Sequence, residues 1–96
     1  MSTLLPKSNI YKSADHFQVD VFLPGVSEEN LEIDIENHTL KIRATRQRGE
    51  THQTYKRGFR LNRNIDVEAI EATLSNGQLQ ITLPIANQSR KVLVNA

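Results

Sequence analysis

The 96-residue chain reads as an all-β protein, an antiparallel β-sandwich of about seven short strands. Three observations predict this. Apolar and polar residues alternate at period 2 in run after run, which gives each strand one dry and one wet face. Two-residue turn signals, Asn37-His38 and Asn76-Gly77, separate runs that match in length. No window of about 11 residues keeps an i, i+3, i+4, i+7 apolar stripe, so no amphipathic helix is expected.

Each run carries its own justification. Phe17, Val19, Val21 and Leu23 form the first strand, and Pro24-Gly25 stops it. Leu31, Ile33 and Ile35 form the next, followed by Leu40, Ile42 and Ala44. A turn at Asn37-His38 sets Ile35 opposite Leu40, Ile33 opposite Ile42 and Leu31 opposite Ala44. The other face then sets Asp34 against Lys41 and Glu32 against Arg43, and a slip of one residue would spoil both faces. Phe59 and Leu61 belong to a further strand. Ile70, Ala72 and Leu74 return through Asn76-Gly77 to Leu79, Ile81 and Leu83, which Pro84 ends. Val92 and Val94 make a last short apolar pair. Single helical turns are expected only near Ser27-Glu28-Glu29 and near Asp66-Val67-Glu68, where Asp66 can cap.

Composition and charge exclude several classes. Leu, Ile, Val and Phe make up 27 of 96 residues, enough for one packed core, and the length allows a single domain. There is no cysteine, hence no disulfide, thiolate metal site or cysteine nucleophile. No run approaches 18 apolar residues, and no targeting peptide is visible, so a cytoplasmic protein without a membrane partner is expected. Residues 15–36 hold seven acids and no Lys or Arg, whereas residues 41–63 hold eight Lys or Arg and one acid. The hairpin register brings these blocks together, so they neutralise one another and no nucleic-acid partner is expected. The basic block also lacks the aromatic interleaving of a stacking platform. His16, His38 and His52 have no metal-ligand spacing, and Ser13, Asp15 and His16 are too close in sequence for a converging triad. No catalytic residue, metal or cofactor is expected, and function must reside in surfaces.

The order of motifs resembles the α-crystallin domain of the small heat-shock proteins. The resemblance runs from Phe17-x-Val19-x-Val21-x-Leu23-Pro24-Gly25-Val26, through Leu31-x-Ile33-x-Ile35 and Leu40-Lys41-Ile42, to Tyr55-Lys56-Arg57-Gly58-Phe59-Arg60-Leu61. It ends on the most specific piece, Ala72-Thr73-Leu74-Ser75-Asn76-Gly77-Gln78-Leu79. It implies an immunoglobulin-like sandwich over residues 10–84, preceded by an arm, here the short 1–9, and followed by a C-terminal extension at 85–96. It also implies an ATP-independent holdase that binds unfolding client proteins and associates with itself as a homodimer or larger. The implied client and subunit groove is lined by Leu31, Ile33, Ile70 and Leu74. Val92-Leu93-Val94 stands where the family carries its groove-plugging motif, with Val92 and Val94 as the plugs. Tyr55, Arg57 and Phe59 mark a possible subunit interface, where Arg57 should find a partner carboxylate.

Three departures qualify the resemblance. The arm before Ile10 is only nine residues where the family usually carries a long apolar one, Asn62 replaces the usual proline, and segment 47–54, with Gly49 as its turn, is shorter than the exchanged loop of bacterial and plant relatives. No loop-exchanged dimer is therefore expected. The alternative reading is a CS-type co-chaperone, a related sandwich without the exchanged strand that docks on a larger chaperone.

Overall fold

The computed structural model describes residues 2–86 and Val94. Eight strands are formed among them: β1 (Ser2–Leu4), β2 (Ser8–Lys12), β3 (His16–Phe22), β4 (Leu31–Glu36), β5 (Thr39–Arg48), β6 (Thr51–Arg60), β7 (Glu71–Ser75) and β8 (Gln78–Pro84). They build two four-stranded sheets, ordered β1-β6-β5-β4 and β2-β3-β8-β7. Every pairing is antiparallel except β1 with β6, which is parallel.

Both predicted hairpins take the predicted register. Leu31 pairs with Ala44, Ile33 with Ile42 and Ile35 with Leu40. Leu74 pairs with Leu79 and Ala72 with Ile81. The turns adopt the left-handed backbone that two-residue hairpins need, with φ of 52° and 59° at Asn37 and His38, and 50° and 75° at Asn76 and Gly77. The two expected helical turns are single 3-10 turns at Glu28–Asn30 and Val67–Ala69, and the Asp66 carboxylate accepts from the Glu68 N–H at 3.2 Å.

The inward parity residues of both sheets fill one core. Val21, Leu23, Leu40 and Ile81 are wholly enclosed, and Val19, Ile42, Leu79 and Leu83 nearly so. This interior is continuous between the two sheets, which is what holds a domain of this size together.

Four expectations are corrected. The segment before Ile10, read as an arm, is mostly strand: β1 joins one sheet and β2 the other. Residues 47–54, read as a loop, extend β5 and β6 into a ten-residue hairpin, with Arg48 opposite Thr51 and Gln47 opposite His52 around Gly49-Glu50. Asp34 does face Lys41, but the ion pair formed is diagonal, from Lys41 Nζ to Glu36 at 3.6 Å. The long lysine stem reaches the next carboxylate on the same face as readily as the one opposite. The strand containing Ile70 begins only at Glu71, because the 3-10 turn occupies the preceding residues.

Candidate functional site

A sandwich of two open sheets has two rims where the sheets are not closed. Each rim here holds an apolar cleft. At the first, β4 lies over β7 and β8. Leu31, Ile33, Ala72, Leu74 and Leu79 line a cleft of about 310 Å³, and Glu28 stands at its margin. Leu31, Ile33 and Leu74 are half-buried, so the cleft is part core and part surface.

Three of the four predicted groove residues thus come together. Ile70 does not line the cleft; it packs half-buried on the core at the end of the 3-10 turn. Ala72 and Leu79 were missed. Both were legible: Ala72 shares the parity of Leu74, and Leu79 is its partner across the Asn76-Gly77 turn. Val92 lies outside the described residues, and Val94 is exposed.

At the second rim, β6 lies over β2 and β3. Ile10, Phe17, Phe59, Leu61, Ile65 and Leu83 border a cleft of about 370 Å³. Nothing in the sequence reading anticipated it, because β2 itself was not recognised as a strand.

The predicted interface residues share one parity and differ in burial. Tyr55 and Phe59 are buried and belong to the core. Arg57 is half-buried beside them, and its guanidinium carbon lies 4.9 Å from the centre of the Phe59 ring. Among the described residues no carboxylate comes within ion-pair distance of Arg57, and its buried Nε has no hydrogen-bond partner. The expected carboxylate is therefore replaced by an aromatic face, whose negative quadrupole accepts the cation. The β6 backbone from Lys56 onward is not covered by β1, which pairs only with Gln53–Tyr55.

The hairpin tip is tied to the body by Arg46. Its Nε donates to Gln53 Oε1 at 2.8 Å, its Nη1 donates to the Pro24 carbonyl at 2.7 Å, and its guanidinium lies 5.1 Å from the Tyr55 ring centre. One side chain thus links β5, β6 and the Pro24-Gly25 turn after β3. At the opposite end, His16 Nδ1 lies 2.7 Å from Asp15 Oδ1. That hydrogen bond and the imidazolium charge hold the exposed Asp15 carboxyl below its ordinary range. Among the described residues no cluster of three or more His, Asp or Glu could hold a metal ion, and no helix is long and apolar enough to cross a membrane.

Known proteins match this architecture and its motif order. The model of the "Hsp20/alpha crystallin family" matches residues 9–95. "Small heat shock protein C2" of Rickettsia felis is 28% identical over 99 aligned positions, covering 91% of this chain and 64% of its own length. "Small heat shock protein hspI, mitochondrial" of Dictyostelium discoideum is 31% identical over 106 positions, covering 94% of this chain and 48% of its own. The chain therefore spans less than two thirds of either relative. Among solved structures, a small heat-shock protein from Xylella fastidiosa superposes with a TM-score of 0.80 over 95% of this chain and 96% of that one, at 22% identity. Heat shock protein 16.0 from Schizosaccharomyces pombe gives 0.76 over 97% and 77%, at 24% identity. These two structural likenesses carry the fold.

Proposed function

The chain belongs to the Hsp20/alpha crystallin family, and on that premise we propose that it is an ATP-independent holdase that limits the aggregation of unfolding proteins. The observation that carries this reading is the cleft between β4 and β7. Its walls, Leu31, Ile33 and Leu74, are apolar, half-buried and held at an open rim by two rigid hairpins. Such a surface attracts apolar segments without directional demands, so it suits clients that share exposed hydrophobic surface and no sequence. No nucleotide is needed, because binding is driven by the removal of apolar surface from water.

The same cleft is the proposed seat of Val92 and Val94. Alternate residues of an extended strand point the same way, so both valines can enter one cleft. Their burial contributes roughly 3–4 kcal/mol gross. Net of association costs this is weak alone, and it becomes useful when several such contacts act within one assembly. Self-association through the uncovered β6 edge around Tyr55, Arg57 and Phe59 completes the reading. There the contact would be made by backbone and by Arg57, since both aromatic rings are already in the core. The CS-type co-chaperone reading gains no support from the relatives.

Light scattering of a thermally unfolding client enzyme tests the proposal. Scattering should fall with added protein, equally with and without ATP, and Leu74→Ser should weaken the effect while the domain stays folded. Undiminished scattering at every ratio, with the protein folded, refutes it.

A further inference from the structure

Unpaired cations collect at one end of the sandwich. The β6 strand runs out through Arg60 into the connection 61–63, and the two-residue turn Asn37-His38 lies alongside it. The Leu61 N–H donates to the His38 carbonyl at 2.7 Å, so the two segments hold one another in place. Between them is a cleft of about 790 Å³ lined by Asn37, His38, Arg60, Leu61, Asn62 and Arg63. Leu61 is buried, and the other five are polar and exposed.

The charge of this lining has one sign. It contains no carboxylate, and among the described residues neither Arg60 nor Arg63 has an ion-pair or side-chain hydrogen-bond partner. The side-chain amides of Asn37 and Asn62 are equally without partners there. The acid in the same cross-strand row as Arg60 is Glu36, two strands or about 10 Å away. It already holds Lys41 Nζ at 3.6 Å. The other basic depression of the molecule differs. On the outer face of β4, β5 and β6, Lys41, Arg43 and Lys56 share a depression with Glu32 and Asp34, whose carboxylates repel an incoming anion.

We propose that this end cleft binds an oligophosphate chain. Each guanidinium offers a planar fork that fits two oxygens of one phosphate, so Arg60 and Arg63 together suit a ligand with at least two phosphate groups. The His38 ring and the Asn37 and Asn62 amides place further N–H donors around the two cations. Asn62 stands where the resemblance leads one to expect proline, and it brings a backbone N–H and an amide NH₂ that proline lacks. The one apolar lining residue, Leu61, is buried, so the cleft has no exposed apolar surface to hold a base or an acyl chain. It shares no lining residue with the cleft between β4 and β7, so both can be occupied at once.

Isothermal titration calorimetry with sodium tripolyphosphate, with amide NMR shifts recorded alongside, tests the assignment. The salt is held at about 0.1 M, where the Debye length is about 10 Å and distant exposed charges are largely screened. The natural chain should bind, with shifts centred on residues 37–38 and 60–63. Arg60→Gln with Arg63→Gln should weaken binding at least about tenfold. Should that pair fail to fold, Arg63→Gln alone should weaken it at least about threefold. Asn62→Pro keeps every charge and should still weaken binding at least about threefold, because it removes donors. Asn62→Ala serves if proline perturbs the fold. Lys12→Gln with Lys56→Gln, outside the lining, should leave the affinity within about twofold. The assignment is overturned if no heat and no shifts appear at millimolar tripolyphosphate, or if the folded arginine variant binds as the natural chain does. Shifts centred on Lys41, Arg43 and Lys56 overturn it too. So does tighter binding of a nucleoside triphosphate or of a short oligonucleotide, since the ligand would then be recognised by its base.

Discussion

Gly77→Ala and Gly49→Ala isolate two costs that a glycine conceals. Both residues lie in the left-handed region, with φ of +75° and +63°. Alanine there costs about 1–2 kcal/mol, offset by about 0.4–1 kcal/mol because the unfolded chain loses freedom too. At Gly49 nothing lies within 4 Å of an added Cβ, so the net loss should be about 1 kcal/mol or less. At Gly77 the Cβ would meet Pro24 Cα at 3.1 Å and the Leu23 carbonyl oxygen at 3.2 Å, both backbone atoms. They cannot swing aside, because the Leu23 N–H donates to the Gly77 carbonyl at 2.6 Å and binds the two turns together. Crowding of this kind adds about 1–3 kcal/mol. Gly77→Ala should therefore lose about 3 kcal/mol, out of the roughly 5–15 that such domains possess. At about 4–8 °C per kcal/mol, its Tm should fall by more than about 10 °C, against only a few degrees for Gly49→Ala. Urea titrations followed by far-UV circular dichroism, at one fixed protein concentration because association also stabilises, measure the difference. Equal losses within about 0.5 kcal/mol would show that the approach of the two turns is not what demands glycine. Gly58 is the control: its φ is outside the left-handed region and its Cβ position is open, so alanine should stabilise slightly.

Two further outcomes are expected. Arg46→Ala removes two charge-assisted hydrogen bonds and the contact with Tyr55 from a half-buried site, and should cost about 1–2 kcal/mol; Arg46→Lys should recover less than half, since an ammonium cannot fork between Gln53 and Pro24. Urea midpoints check both. Asp15 should titrate below the ordinary carboxylate range, so its contribution to stability is complete above that range and fades as pH falls through the lowered value. In His16→Ala, the Asp15 carboxyl carbon followed by NMR should titrate back in the ordinary range.

The β4–β5 and β7–β8 hairpins were legible because period 2, turn chemistry and matched apolar pairs agreed, leaving one register. The β2 strand was not legible: in Ser8-Asn9-Ile10-Tyr11-Lys12 only Ile10 has inward parity with real hydrophobic weight, and both it and Tyr11 remain exposed. Its strand character comes from its partner, since it pairs along Val21 to Phe17. The hairpin tip at 47–54 was hidden for a related reason. Gln47, Arg48, Thr51 and His52 have no core beneath them to impose alternation, and backbone pairing alone carries the strands outward. At the cleft, Leu31, Ile33 and Leu74 could be named from parity, whereas the exclusion of Ile70 depends on where a 3-10 turn ends. The separation of charge was visible as two blocks along the chain. The observed register sets the two blocks side by side, with Asp34 opposite Lys41 and Glu32 opposite Arg43.

The two sheets differ in how far apart in the chain their partners lie, and this sets the order of assembly. The β4, β5 and β6 strands are consecutive and zip outward from two tight turns, each closing a loop of about two residues. The other sheet is joined through β3 and β8, where Val19 meets Ile81 about 60 residues away. Closing that span costs about 3–4 kcal/mol of chain entropy before any ladder bond compensates it. Pulsed hydrogen exchange during refolding should therefore protect β4–β6 amides before those of β3 and β8. During that interval the inner face of the first sheet, with Leu40, Ile42 and Phe59, is formed and uncovered. The nascent chain is then itself a holder of exposed apolar surface, and the hairpin of β7 and β8, docked last on β3, is the lid that ends its vulnerability.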